Sequence, residues 1–452
     1  MFSISEPFWL HENTRRRVCV ALFVLGCILP TVGLCVWAGW RMTPWYLEQQ
    51  AAEAERLLGL IVKVQGLRHP RPGEVIYEGI QLADPKTAEL ILGAEQVEIH
   101  WRRPTAPNRA CSRRVEVCFR GLEIYTEGLG QLVELVRRAL AQPPNWPRCE
   151  LQVQAAEARL RSGQQIRTLT DLTGFLQPLE QGSQGSFSFR LVGSQASQPI
   201  QIRFGQDHTH KPPVSGLELS LGQSSIACCM LAGVLPGLER LGPLASMRGT
   251  LWIYQQQGQV EYRFQGDLFQ VDLNMLLGQE LERMLSGLAQ IEVEDARLVN
   301  GRLEEVVAVV RAGPGTISRR LWQSAVQEWG LSTSLLPEPD EQVFSYEQLG
   351  AMVRISSEGL QLRGICSVPA PGCILVNSHQ LLLGEGKQIN APIPIPALVR
   401  VLASRQPDQQ ALWVPATQQA QELLQILPLP TETAASDHTV GLADSGAKTR
   451  LE

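Results

Sequence analysis

The sequence predicts a mainly β fold with short helices, of the α+β class, in which an N-terminal transmembrane helix precedes a long series of antiparallel strands. Three observations support this prediction. An uncharged apolar run lies near the N-terminus, and many later segments alternate apolar and polar residues. Gly and Pro are abundant, with 39 and 29 residues in a chain of 452. Short elements joined by turns use Gly and Pro in this way, whereas a long helical bundle does not.

The uncharged run extends from Val18 to Trp40 and is bounded by Arg17 and Arg41. At about 1.5 Å per residue, residues 18–40 would form a helix of roughly 34 Å, enough to cross a bilayer core of about 30 Å. Pro30 lies near the middle, where a membrane helix tolerates a kink. Trp and Tyr residues gather at the C-terminal end, as in the aromatic belt of a membrane interface.

Arg15 to Arg17 precede the apolar run and indicate its orientation. The positive-inside rule predicts that residues 1–17 are cytoplasmic and that the chain after Trp40 lies on the other side of the membrane. A cleaved signal peptide is the alternative, although its apolar core is shorter and its cleavage site has small residues.

A juxtamembrane helix is predicted within residues 41–63. Thr43 can cap its N-terminus, Pro44 suits the first helical position, and the apolar residues that follow have helical spacing.

Residues 64–334 are predicted to form a β region with inserted helices. Their apolar and polar residues alternate, as in strands with one dry and one solvated face. In "WIYQQQGQVEYRF", Gly258 can form the turn of a hairpin. Helices are predicted after Tyr125, after an Asp272 cap and after a Ser318 cap. The β region is followed by a linker at residues 335–342, a smaller β module at 343–427 with two candidate helices, and a disordered tail at 428–452.

Composition and motifs argue against several classes of function. The net charge is −5, and the basic residues form no stripe that would bind nucleic acid. No nucleophile elbow, phosphate-binding loop or zinc-protease motif is present, so the chain is predicted not to be an enzyme and to have no catalytic, cofactor-binding or metal-binding residues. His208 and His210 lie two residues apart in a polar loop, where a surface position is favoured over a metal site.

Cysteine spacing leaves the redox state open. Bridges between Cys111 and Cys118 or between Cys366 and Cys373 are compatible with an oxidising compartment, but spacing does not fix a pairing.

The segment "LSGLAQIEVEDARLVNGRL" at residues 285–303 combines three carboxylates with two arginines. An acid–base site is one interpretation. The solvated face of a strand is the favoured interpretation, because Glu292 and Glu294 alternate with Ile291 and Val293. The apolar phase then shifts, which predicts a β-bulge near Glu294–Asp295.

Several segments resemble AsmA-like envelope proteins. These segments are "GEVIYEGIQLADPKTAELILGAEQVEI", "GDLFQVDLNMLLG", "LSGLAQIEVEDARLVNGRLEEVVAVVRAGPGTIS" and "LWQSAVQEWGL". The resemblance covers roughly residues 15–400 and consists of Gly, Asp and apolar positions, without catalytic signatures. It implies an elongated, curled sheet on the periplasmic side of the inner membrane, anchored as a single pass through residues 18–40.

The same resemblance implies a function in binding or conducting lipid along an apolar β-groove and in supporting outer-membrane and envelope biogenesis. Membrane lipids and envelope proteins are the expected partners. The alternative is an anchored scaffold or assembly factor with a filled core and no lipid ligand. The candidate groove residues are apolar positions of the alternating strands, namely Leu251, Ile253, Val260, Ile291 and Val293.

Overall fold

The computed structural model describes most of the chain. The described residues are 12–41, 43–102, 113–140, 149–163, 165–179, 181–193, 198–232, 234–235, 237–277, 285–335, 341–368, 370–378, 380–386, 392–395 and 427–428. Two compact units are present, one formed by Met1–Ser224 with Cys229–Pro236 and the other by Ser225–Cys228 with Gly237–Glu452. The prediction of a mainly β chain with short helices behind an N-terminal apolar helix is confirmed.

The N-terminal helix is continuous but changes its winding once. Helix α1 (Glu12–Phe23) leads into a π-helical turn (Val24–Ile28) and then into α2 (Leu29–Arg41). Pro30 explains this turn, because proline has no N–H to donate and its ring crowds the carbonyl four residues earlier. The stretch Arg16–Arg41 is long and apolar enough to cross a membrane by length and composition, a test that an N-terminal signal sequence also passes.

Aromatic residues gather at the C-terminal end of this helix, as the sequence predicts. The Trp40 ring centroid lies 5.9 Å from that of Trp45 and 5.0 Å from that of Tyr46. The Arg41 guanidinium lies 4.0 Å from the Trp37 ring centroid. Rings beside a cation suit an interface that is apolar on one side and wet on the other.

The next helix, α3 (Pro44–Leu58), is shorter than the predicted span of 41–63. Thr43 Oγ1 accepts the Tyr46 N–H at 3.4 Å, which confirms the predicted cap. Gly59 takes a left-handed conformation with φ of +66°, and the first strand begins at Ile61. The glycine therefore ends the helix earlier than the apolar spacing suggests.

The first unit contains helix α4 (Leu129–Leu140) and an extensive sheet. Its strands are β1 (Ile61–Lys63), β2 (Gly66–Arg68), β3 (Glu74–Ala83), β4 (Leu90–Arg102), β5 (Arg113–Arg120), β6 (Leu122–Tyr125), β7 (Cys149–Ser162), β8 (Gln165–Leu179), β9 (Gly182–Leu191), β10 (Ile200–Asp207) and β11 (Val214–Ser220). Strands β1 and β2 both pair with β3, and the order continues through β4, then β5 and β6, then β7 to β11.

The sheet is mixed, whereas the sequence predicts only antiparallel pairing. Strands β5 and β6 both run parallel to β7. The connection from β6 to β7 contains α4, and a helical crossover of this kind is what parallel pairing requires. The alternation of residues identifies strands but carries no information about the direction of their neighbours.

The second unit contains helices α5 (Leu273–Leu277) and α6 (Arg319–Glu328). Its strands are β12 (Ile226–Ala227), β13 (Ser246–Gln256), β14 (Gln259–Asp272), β15 (Leu288–Val299), β16 (Arg302–Ala312), β17 (Gly315–Ser318), β18 (Val343–Tyr346), β19 (Gln348–Ser356), β20 (Gly359–Gly364), β21 (Cys373–Asn377) and β22 (Gln380–Gly384). Strands β12 to β16 are joined in order, β16 pairs with β19, and β19 pairs with both β20 and β21. The pair β17–β18 stands apart as a small sheet.

The pairing of β16 with β19 crosses the predicted linker at 335–342. Val306 and Ala312 on β16 lie opposite Ile355 and Leu349 on β19. The predicted module of 343–427 is therefore continuous with the preceding strands, within one compact unit. Residues 336–340 lie outside the described part of the chain.

Both predicted caps in this unit are confirmed. Asp272 Oδ1 accepts the N–H groups of Asn274 and Met275 at 2.9 and 3.3 Å. Ser318 Oγ accepts the Leu321 N–H at 3.4 Å. Each side chain satisfies N–H groups that the first helical turn leaves free.

Around the small sheet the core is tightly packed. Tyr346 is only 1% exposed, and its hydroxyl donates to the Ser286 carbonyl at 2.5 Å. Burial raises the pKa of Tyr346 to about 12, so this hydroxyl keeps its proton. Trp322 on α6 is also buried. Its ring centroid lies 5.4 Å from that of Phe344, and its Nε1–H is donated to the Leu382 carbonyl at 2.9 Å.

The described residues test the predictions for the cysteines and the C-terminal region only in part. Cys366 and Cys373 lie opposite each other in an antiparallel bridge, and both are free thiols. Cys118 is also free, whereas Cys111 lies outside the described residues. The tail at 429–452 and the two C-terminal candidate helices likewise fall outside them.

Candidate functional site

One face of the second unit's sheet is apolar across six neighbouring strands. A single row of directly opposed residues crosses all six, from Leu251 on β13 to Leu360 on β20, and contains no polar side chain. The row is Leu251, Phe264, Ala296, Val306, Ile355 and Leu360. With strands about 4.8 Å apart, it spans roughly 24 Å. We call the face that carries this row the apolar face.

Further rows lie on the apolar face on either side of the first. They are Ile253, Tyr262, Leu298 and Leu303; then Gly249, Gly266, Val293, Ala308, Val353 and Leu362; then Met247, Leu268, Ile291, Val310, Ala351 and Gly364. The period of two, interrupted by one irregularity each in β15 and β16, brings these residues to one side. These four rows are therefore built from aliphatic, aromatic and glycine residues, whereas the next row, Gln255 opposite Val260, has one polar side chain.

All five residues predicted for a groove lie on this apolar face. Ile253, Leu251, Val293 and Ile291 stand in its rows, and Val260 follows beside the β13–β14 turn. Leu251, Ile291 and Val293 are 4%, 9% and 6% exposed, so other parts of the chain cover them, whereas Ile253 and Val260 are half-buried.

The sequence analysis did not single out several other half-buried residues of this face. They include Tyr262, Phe264, Leu298 and Val306. Alternation within their own strands places them on the same side as the predicted residues, so the signal was present in the sequence. Which of these side chains stay accessible depends on packing from other segments, which alternation does not report.

The opposite face of the same strands carries ion pairs. Arg263 Nε lies 2.7 Å from Asp295 Oδ1, and Arg297 Nε lies 2.7 Å from Glu261 Oε1. These hydrogen bonds to carboxylates raise the pKa values of both arginines. Further pairs on this face are Arg248–Asp267, Arg311–Glu292 and Arg354–Glu305. We call it the charged face.

The structure identifies the carboxylates of 285–303 as part of this charged face. Glu292 lies opposite Val309 and pairs with Arg311 at 3.2 Å, and both side chains are about half exposed. The strand has a bulge at the predicted place, because Val293 and Asp295 oppose the consecutive residues Ala308 and Val307 of β16. The bulge brings Asp295 to Arg263 and restores the apolar phase at Ala296.

Replacing both Glu292 and Glu294 by glutamine is expected to change the free energy of unfolding by less than about 1 kcal/mol, because exposed ion pairs contribute little. Replacing the intervening Val293 by alanine is expected to cost about 2 kcal/mol, since it removes two buried methyl groups. Urea unfolding of the full chain in detergent, followed by far-ultraviolet circular dichroism, compares the two. A larger loss for the glutamine variant would contradict the assignment of these acids to a solvated face.

One end of the apolar face is covered by the chain's own C-terminal segment. Leu360, Ile395 and Leu427 form a buried cluster, against which partly buried residues of β19 and β20 pack, together with Trp329 and Ile393. Leu360 and Ile393 also exchange two backbone hydrogen bonds of 2.8 and 2.7 Å. The rows are therefore closed at β19–β20.

The first unit repeats this two-faced arrangement. One row of opposed residues crosses its sheet from β3 to β11: Val75, Ile99, Val117, Val153, Gly174, Phe187, Ile202 and Leu219. A Cβ at Gly174 would lie 2.1 Å from the Phe187 ring, so the glycine leaves room for that ring. Helix α4 lies near one end of the sheet, where the Leu140 carbonyl accepts a hydrogen bond from Ser183 at 2.8 Å.

The histidine pair of the polar loop lies at the surface, and a separate group of possible metal ligands lies on the first unit's sheet. His208 and His210 are in the loop between β10 and β11, and His210 Nε2 is 3.8 Å from Asp207 Oδ2 on an exposed surface. Within the described residues, Glu74, Glu98 and His100 form a group whose side chains could hold a metal ion.

Comparisons with protein-family models, with curated proteins and with solved structures found no match to this chain.

Proposed function

We propose that this chain is a membrane-anchored protein of AsmA-like type that binds or conducts lipid on the apolar face of its second unit. Residues 18–40 would anchor it in the inner membrane, with the N-terminus in the cytoplasm and the remaining chain in the periplasm. The three arginines before the apolar run support this orientation. A role in envelope and outer-membrane biogenesis follows from the resemblance in sequence to AsmA-like proteins.

The observation on which the proposal rests is the half-buried stretch of the first row, from Phe264 through Ala296 to Val306. An acyl chain offers no hydrogen-bonding groups, so a surface that binds it should bury methylene groups without leaving polar atoms unpaired. Each methylene transferred from water contributes about 0.8 kcal/mol. The four apolar rows support this requirement, since their side chains are apolar and the strands that carry them are paired.

Val306 and Val307 provide a matched test of the proposal. They are neighbours on β16, both half-buried, and alternation puts Val306 on the apolar face and Val307 on the charged face. Each is replaced in turn by p-benzoylphenylalanine in the full chain, which is reconstituted into vesicles of phosphatidylethanolamine and phosphatidylglycerol. Irradiation is expected to attach phospholipid at position 306 and at least about tenfold less at position 307, as read by intact-protein mass spectrometry.

Equal attachment of lipid at both positions, or attachment at neither, would contradict lipid binding by the apolar face. Circular dichroism of both variants checks that the large side chain has not unfolded the unit. Because both positions carry the same probe in the same strand, differences in local concentration at the membrane affect them equally.

A second candidate function is an anchored scaffold or assembly factor. The closed cluster of Leu360, Ile395 and Leu427 favours it, because it shows that part of this face is filled by the chain itself. The same photo-crosslinking in whole cells distinguishes the two functions. Protein adducts at position 306 without lipid adducts would support the scaffold.

A further inference from the structure

The charged and polar side of the first unit's sheet brings Glu74, Glu98 and His100 together. Glu74 on β3 lies directly opposite His100 on β4, and Glu98 precedes His100 by two residues on the same face. One ligand atom from each side chain lies within 4.8 Å of the other two. Sequence separates Glu74 from the other two residues, so only the pairing of β3 with β4 creates this group.

The three side chains are largely withdrawn from solvent. Their exposed fractions are 18% for Glu74, 17% for Glu98 and 26% for His100. The imidazole Nδ1 lies 4.0 Å from Glu74 Oε1, and Nε2 lies 3.7 Å from Glu98 Oε2. Both distances exceed the usual hydrogen-bond length of about 2.7–3.2 Å, so direct hydrogen bonds do not account for the arrangement.

One ligand atom of each side chain lies close enough for the three to converge on one metal ion after side-chain rotation. Zinc binds nitrogen and oxygen ligands at about 2.0–2.2 Å, which places tetrahedral ligand atoms about 3.3 Å apart. For an ion on His100 Nε2, the distance to Glu98 Oε2 would shorten by about 0.4 Å. Glu74 Oε1 lies 4.0 Å from the other ring nitrogen, Nδ1, so this carboxylate would have to rotate toward the Nε2 side.

Neighbouring side chains orient Glu98 for this role. Its Oε1 accepts hydrogen bonds from Gln96 Nε2 at 3.1 Å and is paired with Arg120 Nη2 at 3.0 Å. The other oxygen, Oε2, is directed toward His100. Such outer contacts hold metal-binding carboxylates in place in known sites.

A further acid nearby is already neutralised by arginine. Glu116 lies opposite His100 on β5, and its carboxylate is 2.9 Å from Arg102 Nε and 3.3 Å from Arg114 Nε. Glu98 is also paired with an arginine, but through Oε1, so its Oε2 and the Glu74 carboxylate are the acidic groups that face the imidazole.

We propose that Glu74, Glu98 and His100 bind a zinc ion. Two carboxylates and one imidazole form a mixed oxygen and nitrogen set, which suits zinc better than magnesium or calcium. Three protein ligands leave a fourth position for water. The proposal is independent of lipid binding, because the site lies on the first unit and the apolar face under test belongs to the second.

Zinc titration of the full chain in detergent, after removal of metal by a chelator, tests the proposal. The ligand variants are Glu74→Gln and His100→Gln, and the control is the double variant His208→Gln/His210→Gln, which removes the exposed histidine pair. Isothermal calorimetry is expected to show one zinc ion per chain for the wild type and the control. Each ligand variant is expected to bind at least about tenfold more weakly.

No saturable binding by the wild type would overturn the proposal, and so would wild-type affinity in both ligand variants. X-ray absorption of the zinc-loaded wild type provides a second measurement that needs no variant. Nitrogen and oxygen neighbours at about 2.0–2.2 Å are expected, whereas sulfur neighbours at about 2.3 Å would show that zinc binds to cysteine instead.

Discussion

Replacing Trp322 with alanine is expected to destabilise the second unit by about 3–5 kcal/mol. The side chain is 6% exposed, and its removal would leave a cavity between α6 and β18. It would also leave the Leu382 carbonyl without the indole N–H that it now accepts at 2.9 Å. A buried carbonyl without a hydrogen-bond donor destabilises the folded state, because it has lost its contact with water and gains no partner in exchange.

Hydrogen exchange measured by mass spectrometry suits this variant, because the two compact units need not unfold together. Amides of β18 and β22 should exchange much faster in Trp322→Ala, while amides of β3 and β4 in the first unit should be unchanged. Trp322→Phe keeps an aromatic ring beside Phe344 but loses the indole donor, so an intermediate effect is expected.

The matched control for this prediction is Trp101→Ala, which removes a tryptophan that is 43% exposed on β4. Its effect on stability should be below about 1 kcal/mol, in line with surface substitutions. Equal protection of β18 and β22 in Trp322→Ala and in the wild type would show that this core is less tightly packed than described.

Replacing Gly249 or Gly266 with alanine is expected to cost at least about 3 kcal/mol. The two glycines lie opposite each other on β13 and β14, with φ values of +137° and +152°. A Cβ at Gly249 would lie 2.1 Å from the Gln265 carbonyl oxygen, and one at Gly266 would lie 2.0 Å from that of Arg248. These oxygens belong to the backbone of the paired strand, so they cannot move aside as the end of a flexible side chain can, and the clash is costly to relieve.

The control for the glycine pair is Gly313→Ala, since no atom lies within 4 Å of a Cβ at that position and its φ is unexceptional. Urea unfolding monitored by circular dichroism should separate Gly313→Ala, with a change below about 1 kcal/mol, from the other two variants. Stability of Gly249→Ala equal to that of Gly313→Ala would mean that β13 and β14 are further apart at this point than the structure has them.

Local features of this fold were readable from sequence because their causes are local. Gly258 follows Gln257 in the β13–β14 turn, where their φ values are +81° and +53°. Such values suit the two-residue turns that glycine permits. The bulge at Glu294–Asp295 was visible as a shift in phase, and the caps at Asp272 and Ser318 as polar residues before apolar spacing.

Non-local pairing was not readable from sequence. The parallel pairing of β5 with β7 depends on where α4 returns the chain. The pairing of β16 with β19 joins strands that are separated in sequence by β17, α6 and β18. The group of Glu74, Glu98 and His100 has the same origin, since its ligands meet only when β3 and β4 are aligned. The sequence contained no motif that joins them.

The ion pairs of the charged face bear on how the strands find their alignment. Sliding β15 past β14 by two residues would keep every apolar side chain on its own side, so burial alone hardly distinguishes the native alignment from its neighbours. In the native alignment Arg263 lies opposite Arg297, and each arginine pairs with a diagonal neighbour, Asp295 or Glu261. A slide in one direction would move both pairs about 6.8 Å further out of register, whereas a slide in the other direction would bring both pairs directly opposite each other. Each pair contributes at most about 1 kcal/mol, so together they disfavour slides in the first direction only. The charges thereby exclude half of the shifted alignments that the hydrophobic effect treats as equivalent.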